Sequence, residues 1–418
     1  MRLEPLRNAQ FRLLFAGRAI SSLGDRVVPL ALSFAVLDLT GSVTDLGIVF
    51  AAQTLPLVLF VLIGGVWADR LPRQFVMLAS DGVRALAQGL SAALLLSGSA
   101  HIWELAVLQA VYGAAEAFFG PASVAIVPQT VDERDLQPAN ALLGLSGNLA
   151  DVLGPALAGV IVATAGPGWG LAADAATFVA SAAFLALMRP RALAAASEFA
   201  AGSTLAQLRA GWHAFRSRTW LWVTVVFFTV FLAFVYSPLQ VLGPQVAKVS
   251  LGGPGAWAAI SVALGLGSIA GGLVGLHWLP RRPLLVSFLL FLVAGPALIV
   301  LLAARAPLAA ILAVALIDGS SGPLFNVFWF TAMQRDVPAS EQSRVTSWDY
   351  LGSLALQPVG LALTGPIAAA IGISATLYGA GGLFVVLVLA VLAVPAVRNF
   401  ELPALARATT ESGSSGPA

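Results

Sequence analysis

Asp25, Glu116 and Asp318 are carboxyl side chains set near the middle of long apolar stretches. A charge near the centre of a bilayer costs several kcal/mol by most scales, so such a residue faces a cavity or a partner. Burial favours the protonated carboxyl, and a group so tuned can load a proton on one side of a membrane and release it on the other. Glu116 suits that chemistry best, because Ala114, Ala115, Ala117, Phe118 and Phe119 around it are small or apolar. Arg26 and Arg84 also fall inside apolar stretches and are candidate charge partners. Structural salt bridges alone would account for the same residues, since buried charge needs pairing. Asp25 and Arg26 are adjacent, so on a helix they point about 100° apart. One is expected to face a cavity while the other finds its partner elsewhere. Asp81 and Asp151 lie nearer one end of their stretches, and Asp174 near the opposite end of its own.

Those acids need helices that cross a membrane. The chain is 59% hydrophobic and only 10% charged, against roughly 25% charged in an average soluble protein. A spanning helix takes about 20 apolar residues. Twelve segments qualify: 12–38, 46–67, 75–97, 102–127, 140–164, 170–188, 219–243, 256–278, 284–303, 307–332, 346–370 and 373–395. Turn chemistry separates them, as in Leu39-Thr40-Gly41-Ser42, Ser97-Gly98-Ser99, Ala165-Gly166-Pro167-Gly168, Leu251-Gly252-Gly253 and Ile371-Gly372. The first residues lack a small-residue cleavage site after a short apolar core, so the first stretch is expected to be a retained span.

Basic residues orient the spans. With the N-terminus in the cytoplasm, seventeen arginines fall on the inner connections and termini, and only Lys248 and Arg305 on the outer ones. Both termini are therefore expected inside. The expected domains are a six-helix bundle at 1–190, a cytoplasmic linker at 191–218, a second bundle at 219–397 and a disordered tail at 398–418. In the linker, Leu205, Leu208, Trp212 and Phe215 share one helical face, which suits an interfacial helix on the inner leaflet.

The halves repeat. At an offset of 206 residues Val131 matches Val337, Gly154 matches Gly360, Gly159 matches Gly365 and Gly166 matches Gly372. Near residue 70 the offset is 208: Leu71-Pro72-Arg73 returns as Leu279-Pro280-Arg281, with His277 standing where Asp69 would be. The fold expected is an all-α polytopic membrane protein, twelve transmembrane helices in two pseudo-symmetric six-helix bundles. Internal repeats of this kind mark many secondary transporters.

Gly65, Ala68, Asp69, Arg70 and Arg73 form a charged hairpin between the second and third spans. It closely resembles the loop signature of the major facilitator superfamily, which lies at the same place. The resemblance implies that Gly65, Asp69, Arg70 and Arg73 gate the cytoplasmic side, Asp69 latching onto the other bundle. Arg73 could pair with Asp132 or Asp135. A hairpin that only sets topology is the plainer alternative. Ala141, Ala150, Gly154, Pro155, Ala158 and Gly159 resemble the family's antiporter signature, with alanine replacing glycine at three positions. Phe118-Phe119-Gly120-Pro121-Ala122, Asp132-Glu133-Arg134-Asp135 and Asn140-Ala141-Leu142 are similar to the branch holding macrolide-efflux and enterobactin-export proteins.

Gln53, Gln109, Tyr112, Tyr236, Asn326 and Trp329 are candidate cavity residues, with Phe231 beside them, since lipophilic substrates suit an apolar cavity with few polar anchors. The chain has no cysteine, and His101, His213 and His277 form no ligand cluster, so no metal site is expected. No phosphate-binding loop of Walker type is present. Together these features point away from an enzyme. They point to a secondary transporter in the cell membrane that exports a small lipophilic molecule by alternating access, in exchange for protons. No cofactor is expected, the proton gradient supplying the energy. The expected partners are the lipid bilayer and a small-molecule substrate, with no nucleic acid and a monomeric state. An importer or uniporter of a small nutrient and a non-transporting membrane sensor remain alternatives.

Overall fold

The computed structural model describes residues 4–191 and 204–401; side chains at 61–70, 204–208, 210, 276, 339–340 and 343–344 lie outside the description. Among the described residues the regular structure is helical, without a strand. The helices are α1 Ala9–Thr40, α2 Val43–Arg70, α3 Arg73–Ser97, α4 Ile102–Ala125, α5 Leu136–Thr164, α6 Pro167–Leu187 and α7 Thr204–Arg216. They continue as α8 Thr219–Phe231, α9 Ser237–Val246, α10 Pro254–His277, α11 Pro283–Ala303, α12 Leu308–Asp336, α13 Ala339–Leu354, α14 Gln357–Ile371, α15 Ile373–Ala393 and α16 Pro395–Arg398.

Local chemistry sets the ends. Pro167 and Pro283 open α6 and α11, where a missing N–H costs nothing. Gly41 and Gly98 close α1 and α3 at φ 68° and 70°, a left-handed geometry that glycine adopts without a steric penalty. Eleven helical stretches among the described residues are long and apolar enough to cross a membrane. The expected third span, α3, is not one of them although it is 25 residues long, because Asp81, Arg84 and Gln88 lower its hydropathy.

The expected seventh span is α8 and α9 joined by a π-helical turn at Leu232–Tyr236, and a second such turn, Ala247–Leu251, extends it. The expected eleventh span is interrupted between α13 and α14. Pro358 removes the N–H that would have bonded to the Leu354 carbonyl, and the helix restarts at Gln357.

The described residues cluster into two compact units. The first takes in 4–191, Gln240–Val262 and Gln357–Gly372. In it α1 packs on α5 and α6, α2 on α4, α3 on α4 and α6, and α14 along α2. Phe11, Leu14, Met77, Ala122, Ile126 and Leu185 make a buried core where α1 begins. Gln74 Nε2 donates to the Leu185 and Met188 carbonyls at 2.6 and 2.9 Å, tying the end of α6 to the start of α3. Matched glycines hold the close crossings. Gly159 of α5 lies against Ala258 of α10, and Gly365 of α14 lies against Thr44 of α2. The pair equated by the 206-residue offset thus leans on the eighth and second spans respectively, as a duplicated fold requires.

The second unit takes in 204–239, Ala263–Leu356 and 373–401. Its core is aromatic: Phe227 sits 5.0 Å from Phe288, Phe231 4.8 Å from Phe384, and Phe228 4.7 Å from Phe325. Arg218 reaches Asp336 at 3.6 Å and Glu341 at 3.2 Å. Helix α7 lies in the expected linker, where Trp212 packs 5.0 Å from Trp348 of α13 and Phe215 is buried. Of the face expected to meet lipid, protein thus covers Phe215, while Trp212 stays 42% exposed. Leu205 and Leu208 lie outside the described side chains.

Candidate functional site

Helix α3 carries Asp81, Arg84 and Gln88 on one stripe, spaced by one and two turns. Arg84 is only 2% exposed. Its Nη2 donates to Asp81 Oδ1 at 2.5 Å and its Nη1 lies 3.6 Å from Asp25 Oδ1. Phe119 and Phe178 flank the guanidinium, with ring centres 4.3 and 4.2 Å away. Charge pairing and two π faces hold it in place. Ser181 of α6 donates to Asp81 Oδ2 at 2.6 Å, so both oxygens of Asp81 are satisfied.

Asp25 of α1 accepts from the Tyr112 hydroxyl of α4 at 2.7 Å, and its side chain keeps 32% exposure. Gln109 Nε2 donates to Gln88 Oε1 at 3.1 Å. Glu116 is half-buried on α4, one turn beyond Tyr112, with Gln53 of α2 beside it. Gly113, between Tyr112 and Glu116, lies against the Gln53 carbonyl and brings the two helices together there. Asp174 of α6 is fully buried, and its Oδ2 has no hydrogen-bond partner among the described residues.

Arg26, next to Asp25, turns the other way and meets Asp151 of α5 at 2.6 Å. Gly154 makes that possible, because its α-carbon lies directly against Arg26 and a side chain there would collide. Gly154, Pro155 and Gly159 all lie in α5; Gly154 faces α1, and Gly159 faces α10.

The other expected residues lie in the second unit. Asp318 of α12 is half-buried and has no hydrogen bond or ion pair among the described residues. Trp329 is buried and donates to Asp349 of α13 at 3.2 Å. Asn326 is exposed, and Tyr236, 42% exposed, closes the π turn of the seventh span. The structure thus gathers Asp25, Arg84, Gln109, Tyr112, Glu116 and Gln53 in one cluster. It places Asp318, Tyr236, Asn326 and Trp329 in the other unit.

Of the hairpin, the Gly65, Asp69 and Arg70 side-chain positions lie outside the description; their backbone forms the end of α2. Arg73 corrects one expectation. Its Nη1 donates to the Ala125 carbonyl at 2.7 Å, at the last residue of α4, while Asp132 pairs with Arg191 at 2.6 Å. A helix C-terminus offers unsatisfied carbonyls and negative potential, which draws the guanidinium there. The Arg191 hydrogen bond, with its charge, holds the Asp132 carboxyl below the usual carboxylate range.

Residues 14–356 match the family model described as Major Facilitator Superfamily. The chain belongs to the major facilitator superfamily. It is a multi-pass membrane transporter and not an enzyme. This superfamily member is 29% identical over 413 residues to the multidrug efflux pump Tap of Mycolicibacterium fortuitum, covering 93% of this chain and 96% of Tap. It is 22% identical over 397 residues to macrolide efflux protein A of Streptococcus pyogenes, covering 94% and 98% of the two chains. In fold it resembles the nucleoside transporter NupG, with TM-score 0.71, 13% identity and coverage of 92% and 98%. A bacterial homologue of the human lysosomal transporter Spinster, in an inward-facing and unoccupied conformation, gives TM-score 0.70, 16% identity and coverage of 94% and 98%.

Sequence reasoning leaves Asp81, Asp174, Gln88 and Ser181 out of this superfamily member's candidate site. The spacing of Asp81, Arg84 and Gln88 is a usable signal, since three polar residues on one stripe of a span must face protein. Nothing in the run Leu171-Ala172-Ala173-Asp174-Ala175 tells which helix will cover Asp174.

Proposed function

We propose that this protein is a secondary active exporter of a small lipophilic molecule, such as a drug, a macrolide-like compound or a siderophore, in exchange for protons. The observation carrying the coupling is the charge imbalance around Arg84. Asp25, Asp81, Glu116 and Asp174 gather about a single buried guanidinium, while Arg26 is taken by Asp151. Ionising every one of those acids inside a membrane costs several kcal/mol for each left unpaired. Protons are the simplest species to relieve that cost and to leave again when the surroundings change.

Full-length similarity to two proteins named for efflux supports the outward direction. The duplicated fold supports alternating access. The seventeen inner arginines support cytoplasmic termini in the cell membrane.

A deletion strain and its complement, compared for macrolide susceptibility and siderophore release, test the reading. Complementation is expected to raise resistance or release, and inside-out vesicles are expected to accumulate the compound only under a pH gradient. Uptake of a labelled nucleoside or sugar by complemented cells, without any export, would overturn it.

A further inference from the structure

Asp174 is the most deeply buried acid that is left with an unpartnered carboxyl oxygen among the described residues. It is 0% exposed, and that oxygen is Oδ2. The nearest hydroxyl, Thr177 Oγ1, is spent on the Asp174 backbone carbonyl at 2.7 Å and reaches Asp174 Oδ1 only at 3.5 Å.

The charged and titratable groups around it come from three helices. From α1, Asp25 adds repulsion, and Arg26 is turned to Asp151 of α5. From α3, Arg84 already serves Asp81 and Asp25. From α4, Tyr112 donates to Asp25, and Glu116 is a further acid. Gln88 stands beside Asp174 with its own Nε2 unpartnered.

Gly24 supplies the second half of the argument. A β-carbon there would collide with the Asp174 carboxyl and the Thr177 hydroxyl. The bare α-carbon lets α6 press Asp174 against α1, next to Asp25 in sequence. A carboxylate in such a place, unpaired and dry, would cost several kcal/mol; the neutral acid costs far less and can donate its proton. Asp25, next in sequence to Gly24, keeps 32% of its side chain exposed and so is within reach of water.

We propose that Asp174 carries a proton in the transport cycle, holding it in the state described here and exchanging it with the aqueous cavity through Asp25. The step is a plain transfer: the Asp174 O–H bond breaks, an O–H bond forms on the Asp25 carboxylate, and the charge moves the opposite way. Water supplies and removes the proton. Asp174 rests on the proton-coupled reading above but can be tested apart from it.

Infrared difference spectroscopy of the purified protein in lipid, across a pH step, reads protonated carboxylic acids directly and needs no substrate. The wild type is expected to show a protonated-acid carbonyl band at neutral pH that vanishes in Asp174→Asn, whose carboxamide keeps the shape. Gly24→Ala, which crowds the acid without removing it, is expected to shift the same band. An unchanged band in Asp174→Asn overturns the proposal, as does an absent band in a wild type that folds. In proteoliposomes with ethidium as probe, Asp174→Asn is expected to retain dye exchange across the bilayer. Its accumulation under a pH gradient should fall at least tenfold and return in part with Asp174→Glu. Wild-type-like accumulation in Asp174→Asn also overturns the proposal. A wild type without pH-driven accumulation overturns both the proton-coupled reading and the carrier role, while the infrared band still decides whether Asp174 holds a proton.

Discussion

Lys248 Nζ lies 2.6 Å from Asp38 Oδ1 and donates to the Leu37 carbonyl at 2.8 Å, so one ammonium fastens the last turn of α1. It is the only lysine in the chain. A compact ammonium with three rotatable donors suits a carbonyl and a carboxylate together at a helix C-terminus. Just beyond, Gly47 lies against the Leu361 carbonyl and Gly365 against Thr44. Under the proposed orientation this end, with its close crossing of α2 and α14, faces outward.

Lys248→Met is therefore expected to favour opening of that end. Leu361→Cys reports on it, because Leu361 is fully buried and the chain has no cysteine of its own. The pair is half-exposed, and such pairs contribute about 0–1 kcal/mol. Thiol labelling from outside should rise a few-fold, and Lys248→Arg should restore much of the protection. Equal labelling rates in all three backgrounds would show that the ion pair does not hold the end closed.

Arg84→Gln is expected to destabilise the folded protein by about 3–5 kcal/mol, since it leaves Asp81 buried without its partner. Adding Asp81→Asn should recover a large part of that loss. A double-mutant cycle on thermal unfolding in detergent decides the matter; additive losses would mean that the pair is not coupled.

Gly154→Val should force α5 away from Arg26 at a cost of about 1–3 kcal/mol, and pull Asp151 from its ion pair. Gly147→Ala in the same helix is the control, because nothing lies near its α-carbon. A loss of stability in both variants alike would point to helix α5 itself and not to its crossing with α1.

Asp132 and Arg191 set an acid limb. The folded pKa of Asp132 is depressed, so its contribution is present above the unfolded value of about 3.9 and is lost as pH falls through the lower folded value. Asp132→Asn should therefore lose its small contribution near neutrality, small because solvent screens an exposed pair, and should converge with the wild type below about pH 4, where that part of the acid slope disappears. An unfolding profile that keeps its full acid slope in Asp132→Asn would assign the limb elsewhere.

The helices are legible because long apolar runs and glycine separators are local facts. Gly41 and Gly98 end α1 and α3 at separators the sequence shows. The count is less plain, since α3 gives up apolar character to bury Asp81, Arg84 and Gln88. Asp25, Glu116, Arg26 and Arg84 are each visible as charges in apolar surroundings. Their pairings are not, because helical spacing gives a residue's face and not the helix opposite. Arg26 could have met any acid; Gly154, 128 positions away in sequence, decides that it meets Asp151. Asp174 reads as a residue near a span end, yet α6 begins at Pro167, two turns earlier, and Gly24 seals the acid against α1.

Arg84 is pinned between two rings, so its charge is a fixed electrode that does not move with the cargo. Net charge crossing the membrane would then be set by how many of the surrounding acids exchange, less whatever the cargo bears. Each exchanged proton multiplies the concentration ratio attainable at a given pH difference. Across one pH unit, one proton sustains about a tenfold gradient and two about a hundredfold. Under the proton-coupled reading, a cluster with more acids than fixed cations leaves room to change that ratio by point mutation, without rebuilding the helices.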